Sequence, residues 1–439
     1  MTSLHPVLQD QLNLAVKPSS GLAKYTKRDA VLPDVDGKVH AIIGMRRAGK
    51  TTFLRQLQAE LRAKAAPERA IYLSFDDDRL ADVDSAQLNL LLEEYFRRYP
   101  EFRGQQEVYW FLDEIQLVEG WERFVRRVVD TERIRVVVSG SSANMLSREI
   151  HTSLRGRSMA TVISPFSFRE FLRHLDEEPA DMPGRWTPGK RSSIENRFDA
   201  YLRGGGFPEA QGIEARTRVA LLQGYVDAVL FRDVVERHEV SQVAALRWLV
   251  RYALRNPAGK VSVRRLYDDL RSQGHSVGRN AVGDLLGYVL DAFLIDLVPV
   301  AADSERKKDS NPRVVYPVDT GLIQAFDASG RRHVGHALET AVFNELVRRG
   351  LDVAYFKADD GSEVDFLSRD YEGNDELIQV CADVSSPSTL ERELRAFGPA
   401  LLKYPQAKPT LLTLNRVSAS GLVAPGISVR PAYEWMLGS

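Results

Sequence analysis

The octapeptide Gly44-Met45-Arg46-Arg47-Ala48-Gly49-Lys50-Thr51 constrains this chain more than any other stretch. It follows an apolar run, Val39-His40-Ala41-Ile42-Ile43, that suits a buried strand. It opens a stretch, Lys50 to Ala65, in which Phe53, Leu54, Leu57 and Leu61 recur on one helical face. Strand, glycine-framed loop and helix in that order make a G-x-x-x-x-G-K-[ST] phosphate loop. Glycines let the main chain wrap an anion without Cβ clashes. Successive N–H groups and the helix N-terminus then point at the anion. Lys50 is expected on the β- and γ-phosphates of a nucleoside triphosphate, and the Thr51 hydroxyl on Mg²⁺. Thr52 is expected near the α-phosphate. Met45, Arg46 and Arg47 are expected to face outward at the loop tip, where the arginines read either as neighbours of the nucleotide or as solvated charge.

Ile71–Phe75, Val108–Leu112, Ile134–Val138 and Ala160–Ile163 read as further strands, separated by helical stretches such as Leu88–Tyr99 and Trp121–Asp130. That alternation argues for an α/β fold with a parallel sheet covered on both faces. Tyr109-Trp110-Phe111-Leu112-Asp113-Glu114 is an apolar strand delivering two carboxylates at its C-terminal end, the edge where ligands of open parallel sheets sit. Asp113 is expected to hold Mg²⁺ through water and Glu114 to polarise the attacking water; a simple turn cap is the alternative. In Ser139-Gly140-Ser141-Ser142-Ala143-Asn144 a polar side chain, Ser141 or Ser139, is expected to sense the γ-phosphate, unless these serines cap the next helix. Leu154-Arg155-Gly156-Arg157 offers two guanidinium groups, Arg155 and Arg157, for the transferred phosphoryl group, in cis or from a neighbour. A surface loop is the other reading, and Arg232 is a weaker candidate.

Past Phe166 the chain becomes helical and loop-rich. Val243–Asn256, Ser262–Gln273 and a helix starting at Ser276–Asn280 and running to Asp291 precede two strands, Phe293–Val298 and Arg313–Val318, whose connecting loop carries Ser304-Glu305-Arg306-Lys307-Lys308. Three helices and a hairpin describe a winged helix-turn-helix. Residues 241–332 hold 14 Lys plus Arg against 10 Asp plus Glu, a net of +4. Arg279, Arg306, Lys307 and Lys308 are the expected DNA phosphate contacts, although such folds also serve as protein joints. The last stretch places Glu339 on a helix, Asp365 on a strand, and Gln379 and Cys381 on the next strand. A restriction-endonuclease-like site needs an acid and a lysine at the last two positions. Gln379 lacks the charge and Cys381 the ammonium, so an inactive scaffold is expected.

Whole-chain composition narrows the partners. Of 439 residues, 59 are Lys or Arg and 60 Asp or Glu, for a net charge of -1, so any nucleic-acid surface must be local. The single cysteine excludes an intramolecular disulfide and a cysteine-based zinc site. The N-terminus lacks the pattern of a signal peptide, and no apolar run approaches a membrane span. A cytoplasmic protein without a membrane partner is expected.

Together with Tyr72–Asp77, Phe111–Gln116, Ser139–Ser142, Ser153–Arg157, Gly205–Pro208 and Gly361–Phe366, the phosphate loop gives the chain a resemblance from about Lys38 to Leu414. It resembles the prokaryotic ATP-binding proteins that join an AAA-type ATPase domain to a C-terminal domain of unknown function. The resemblance implies ATP hydrolysis on an additional-strand, catalytic-glutamate P-loop core, then a winged helix and a nuclease-like tail. It also implies rings, such as a hexamer, in which Arg155 and Arg157 of one subunit complete the next subunit's site.

The expected order is an N-terminal adaptor (1–37), a P-loop ATPase core (38–165), a helical lid (166–240), a winged-helix-like domain (241–332) and a degenerate nuclease-like domain (333–439). The expected function is Mg²⁺-dependent ATP hydrolysis, by a homo-oligomer, coupled to DNA remodelling, branched or forked DNA included. The competing expectation is a nucleotide-controlled switch or scaffold acting on a protein partner.

Overall fold

Every residue of Val39–Ile43 is buried, and this run is strand β1. The computed structural model describes residues 3–17, 25–140, 154, 156–327, 334–419 and 424–438. The chain divides into two units, Met1–Ser164 and Pro165–Ser439. The first begins with helix α1 (Pro6–Ala15) and continues through β1 to α2 (Lys50–Arg62), β2 (Ala70–Ser74), α3 (Ser85–Arg98), β3 (Val108–Asp113), α4 (Trp121–Thr131), β4 (Ile134–Ser139) and β5 (Ser158–Val162). All pairings are parallel, and the order across the sheet is β2-β3-β4-β1-β5. Strand β4 therefore lies between the strand that leads into the phosphate loop and the strand that ends in Asp113. Parallel register brings the C-terminal ends of all three to one edge.

Apolar packing explains the layers. Phe53 and Leu54 of α2 pack with Ile42, Tyr72, Phe111, Val137 and Ile163 on one face. Trp121, Phe124, Val125 and Val128 of α4 are buried. The N-terminal helix packs on this unit through fully buried Leu8 and Leu12. Gln11 fixes it to strand β2, donating from Nε2 to Ser74 O (2.7 Å) and accepting from Ser74 N (3.0 Å).

The second unit holds α5 (Phe168–His174), α6 (Pro188–Gly204), α7 (Ala215–Ala228), α8 (Val243–Arg255), β6 (Gly259–Val261), α9 (Val263–Ser272), α10 (Arg279–Asp291), β7 (Ile295–Val298), α11 (Glu305–Ser310), β8 (Arg313–Pro317) and α12 (Thr320–Phe326). After these come α13 (Val334–Arg348), β9 (Asp352–Lys357), β10 (Glu363–Arg369), β11 (Asp375–Cys381), α14 (Pro387–Arg395), α15 (Phe397–Lys403), β12 (Lys408–Thr413), β13 (Ser428–Pro431) and α16 (Ala432–Leu437). Helices α8, α9 and α10 accompany an antiparallel sheet ordered β6-β8-β7. The expected hairpin thus gains a third strand, and its connecting segment is partly a short helix, α11, capped by the Ser304 side chain. The tail is a mixed sheet, β13-β12-β11-β10-β9.

Three successive stretches of this unit, 166–240, 241–332 and 333–439, share one core. Phe168 and Phe198 come from the first stretch, Tyr316 and Ile323 from the second, and Phe343, Phe366 and Tyr433 from the third, in one buried cluster. A polar lock reinforces it. Asp319 is buried and accepts from Gly206 N (2.6 Å) and Gly321 N (2.9 Å). A Cβ on Gly206 would lie 2.2 Å from Phe166 O, so only glycine allows that approach.

Candidate active site

The phosphate loop leaves β1 at Gly44, whose φ is +136° and whose Cβ, if present, would meet Ile163 O at 2.3 Å. Arg47 (φ 67°) and Gly49 (φ 103°) also have positive φ, and backbone of alternating hand turns successive N–H groups inward. Gly49 precedes α2 and, having no side chain, leaves that helix without a side-chain N-cap. Buried Lys50 donates from Nζ to Gly44 O (2.9 Å) and Met45 O (3.1 Å). Its ammonium therefore lies within the loop's own curve. Thr51 is exposed at the helix start and Thr52 half-buried. Met45 is 1% exposed, which corrects the outward placement expected of it: it packs inward, while Arg47 is exposed and Arg46 half-buried.

Periodicity gave no signal for Arg28. Buried beside the loop, it donates from Nη1 to Ala48 O at 3.0 Å and from Nη2 to Ser164 O. It ties the loop to the segment that follows β5. Only its long-range partners distinguish this arginine from any other.

Asp113 and Glu114 end β3 at the same sheet edge. Asp113 is 3% exposed. Its Oδ2 accepts from the Tyr72 hydroxyl at 2.5 Å and its Oδ1 from the Ser139 hydroxyl. Ser139 Oγ in turn accepts from Glu114 N at 3.3 Å. Glu114 adopts φ 55°, a left-handed turn that swings its carboxylate off the strand axis. Gln116 Nε2 donates to Glu114 Oε2. Burial pushes the Glu114 carboxyl above its ordinary value, while the Lys50 ammonium and the Gln116 amide pull it back down. The loop's lysine and the second acid thus sense each other electrostatically. One edge thus holds an ammonium, a braced carboxylate and a second carboxylate raised by burial.

Ser141 and Arg155 lie outside the described residues. Arg157 stands at the strand-start edge: its carbonyl accepts from Val39 N (2.7 Å) and its Nε pairs with Asp130 (2.8 Å). The length of β1, about 13 Å, separates it from the phosphate loop of its own chain, and its pairing with Asp130 fits the surface-loop reading as well as a role toward a neighbour. Arg232, itself exposed, pairs with Glu236 at 3.4 Å on the π-helical turn Val229–Val235. Arg279 is exposed at the start of α10, Arg306 and Lys307 are exposed on α11, and Lys308 is half-buried and paired with Glu305 at 2.7 Å.

In the tail, Tyr316 OH donates to Glu339 Oε1 at 2.7 Å and Val380 N to Asp365 Oδ2 at 2.8 Å. Gln379 accepts from Asp365 N (3.2 Å) and donates to Glu393 Oε2 (2.6 Å). Burial pushes the Glu339 and Asp365 carboxyls well above the carboxylate range. Among the described residues, no group of three or more His, Cys, Asp or Glu is arranged to hold a metal ion. No described helix is long and apolar enough to cross a membrane.

The pattern of a family described as an AAA domain matches residues 36–172, and that of a domain of unknown function, DUF8612, matches 195–332. The uncharacterized protein MJ1544 of Methanocaldococcus jannaschii is 30% identical, over 98% of this chain and 94% of its own length. An uncharacterized protein of Haemophilus influenzae is 28% identical over 78% of this chain and 81% of its own. Among solved structures, the Aeropyrum pernix ORC1 protein in complex with DNA aligns with a TM-score of 0.28 and 16% identity, over 66% of this chain and 87% of that one. C. elegans PCH-2 aligns with a TM-score of 0.28 and 14% identity, over 52% and 61%. At those scores neither likeness carries any weight for function. The AAA match, the parallel sheet with β4 between β1 and β3, and the loop geometry make the first unit an AAA-type P-loop α/β fold.

Proposed function

For a chain that belongs to the family of MJ1544 and carries an AAA domain, we propose Mg²⁺-dependent ATP hydrolysis on the phosphate edge of the first unit. The observation that carries this reading is the edge shared by Lys50, curled within its loop, and the Asp113–Glu114 pair that closes β3 of the same parallel sheet. In this reading the loop N–H groups and Lys50 bind the β- and γ-phosphates, and Glu114 takes a proton from the attacking water. Ser139 orients Glu114 and Asp113 together. The residues fit a magnesium ion: each oxygen of Asp113 accepts one hydrogen bond and keeps a lone pair, and Thr51 offers an exposed hydroxyl. Bound Mg²⁺ supplies neutralisation of charge on the phosphate oxygens. Glu114→Gln is expected to keep ATP binding and to lower turnover by roughly 10²–10⁴-fold, whereas Lys50→Ala loses affinity as well. Unchanged turnover in Glu114→Gln would remove that residue from the chemistry.

Turnover is coupled, in the same proposal, to DNA. The support is local: residues 241–332 carry a net +4, with Arg279, Arg306 and Lys307 exposed on what we read as a winged helix. The oligomer is a homo-oligomeric ring, with Arg157 reaching a neighbour's nucleotide. The tail is a nuclease-like scaffold without cleavage activity, since Gln379 spends its amide on Glu393 and Asp365. ATPase assays with single-stranded, duplex and forked DNA test the coupling, and the absence of both stimulation and low-salt binding would end it.

One observation favours a second reading, a nucleotide-controlled switch with slow hydrolysis that acts on a protein partner. Gln116 already holds an oxygen of Glu114, and a base so held turns over slowly until something draws the glutamine away.

A further inference from the structure

The outer face of α8 belongs to neither the nucleotide site nor the basic residues of α10 and α11. Arg247, Arg251 and Arg255 recur every fourth residue and are exposed, so they form one stripe with steps of about 6 Å. Trp248 and Tyr252, both half-buried, form the adjacent stripe, their rings stacked at 5.0 Å between centroids and 21° between planes. Val243–Arg255 contains no acidic residue. The opposite face, with Leu246, Leu249, Val250, Ala253 and Leu254, is buried, so the stripes are held on a rigid support. A shallow groove of about 680 Å³ runs along them. Two of the arginines are oriented without a carboxylate: Arg247 lies over the Phe231 ring at 4.9 Å, and Arg255 Nε donates to Phe326 O at 3.0 Å. A guanidinium has five N–H donors, so such contacts leave others facing outward.

We propose that this face of α8 binds single-stranded nucleic acid, the three arginines contacting successive phosphates while bases stack on Trp248 and Tyr252. The inference rests on the reading that the polymer acted on is nucleic acid. A row of cations beside flat rings is the pairing that single strands select: the cations track the backbone, and the rings accept any base because every base has a π-face. An acidic protein segment would use the cations and leave the stacked rings without a partner, so the aromatic stripe decides between the two polymers. A duplex keeps its bases stacked inside, so it too makes no use of the rings.

Fluorescence anisotropy of a labelled oligothymidylate with the full chain tests this. Removing three phosphate contacts by replacing Arg247, Arg251 and Arg255 with alanine is expected to lower the salt slope of binding by about 2. Affinity should fall at least tenfold. Trp248→Leu with Tyr252→Leu is expected to lose affinity at an unchanged salt slope. Thermal melting checks that the variants fold, and the single exposed change Arg251→Gln serves where a multiple variant does not, with a slope change of about 0.7. Oligothymidylate binding that is indifferent to these changes overturns the proposal, as does polyglutamate competing as well as the oligonucleotide. A duplex arm with Arg279→Ala, Arg306→Ala and Lys307→Ala separates the two levels. Duplex binding lost in that variant, beside single-strand binding untouched by α8 changes, sinks this inference alone. No binding of either polymer sinks the nucleic-acid reading beneath it.

Discussion

The Tyr72 hydroxyl donates to Oδ2 of Asp113 at 2.5 Å, across neighbouring parallel strands. Burial and the adjacent carboxylate push the phenol up from its ordinary value, so it remains a proton donor at any working pH. With Ser139 on Oδ1, the carboxylate is held from both sides of β3, by β2 and by β4. Such bracing keeps the carboxylate from rotating, which suits the proposed role of facing a metal-bound phosphate.

Removing the two braces should have different consequences. Tyr72→Phe deletes one hydrogen bond to a charged group and is expected to cost about 1.5–3 kcal/mol of stability, read by urea unfolding. Ser139→Ala also removes the acceptor for Glu114 N. It should depress kcat roughly tenfold or more while nucleotide affinity changes less than about threefold. Equal losses in both quantities would mean that Ser139 acts on binding instead.

The raised Glu114 carboxyl sets a pH dependence. A general base works ionised, so turnover is present above its pKa and lost as pH falls through it. Burial places that loss above the ordinary glutamate value of about 4.3. Gln116→Leu removes a donor that favours the ionised form, and the acid limb of kcat should move to higher pH. A profile that does not shift between the two proteins would show that Gln116 has no hold on the base.

Asp319 couples stability to pH in the second unit. Burial pushes it up to about 6 against the pull of the Gly206 and Gly321 N–H groups. Its folded value exceeds the unfolded value of about 3.9, so its contribution is full below that pH and is lost as pH rises through about 6. The difference in unfolding free energy between the wild-type protein and Asp319→Asn should therefore change over that interval and be flat above it. Gly206→Ala drives a Cβ to 2.2 Å from Phe166 O and is expected to cost more than about 3 kcal/mol, seen as loss of soluble protein.

Arg157 offers a test of assembly. Because it lies at the strand-start edge, paired with Asp130, Arg157→Ala should leave ATP affinity unchanged. If it completes a neighbour's site, mixing Arg157→Ala with Glu114→Gln should restore part of the turnover that each lacks alone. Mixtures no more active than their components would confine each subunit to its own residues.

Local sequence alone determined where the phosphate loop lies. Gly44, Gly49 and Lys50 between an apolar run and a one-sided helical stripe carry that information within about 20 residues. The carboxylate pair closing Val108–Asp113 and the helix that starts within Ser276–Asn280 and ends at Asp291 were equally legible, because apolar periodicity and charge at a strand end are short-range properties. Tertiary structure decided the rest. That β4 lies between β1 and β3, giving Ser139 to Asp113, depends on strand pairing across the sheet, which no local period encodes. The same pairing carried Arg157 to the edge away from the loop, and the packing of the N-terminal segment brought Arg28, 20 residues upstream, onto Ala48 O. Met45 turned inward, and three successive stretches of the second unit joined on Phe168, Tyr316 and Phe366, because burying apolar surface is favourable whichever part of the chain supplies it.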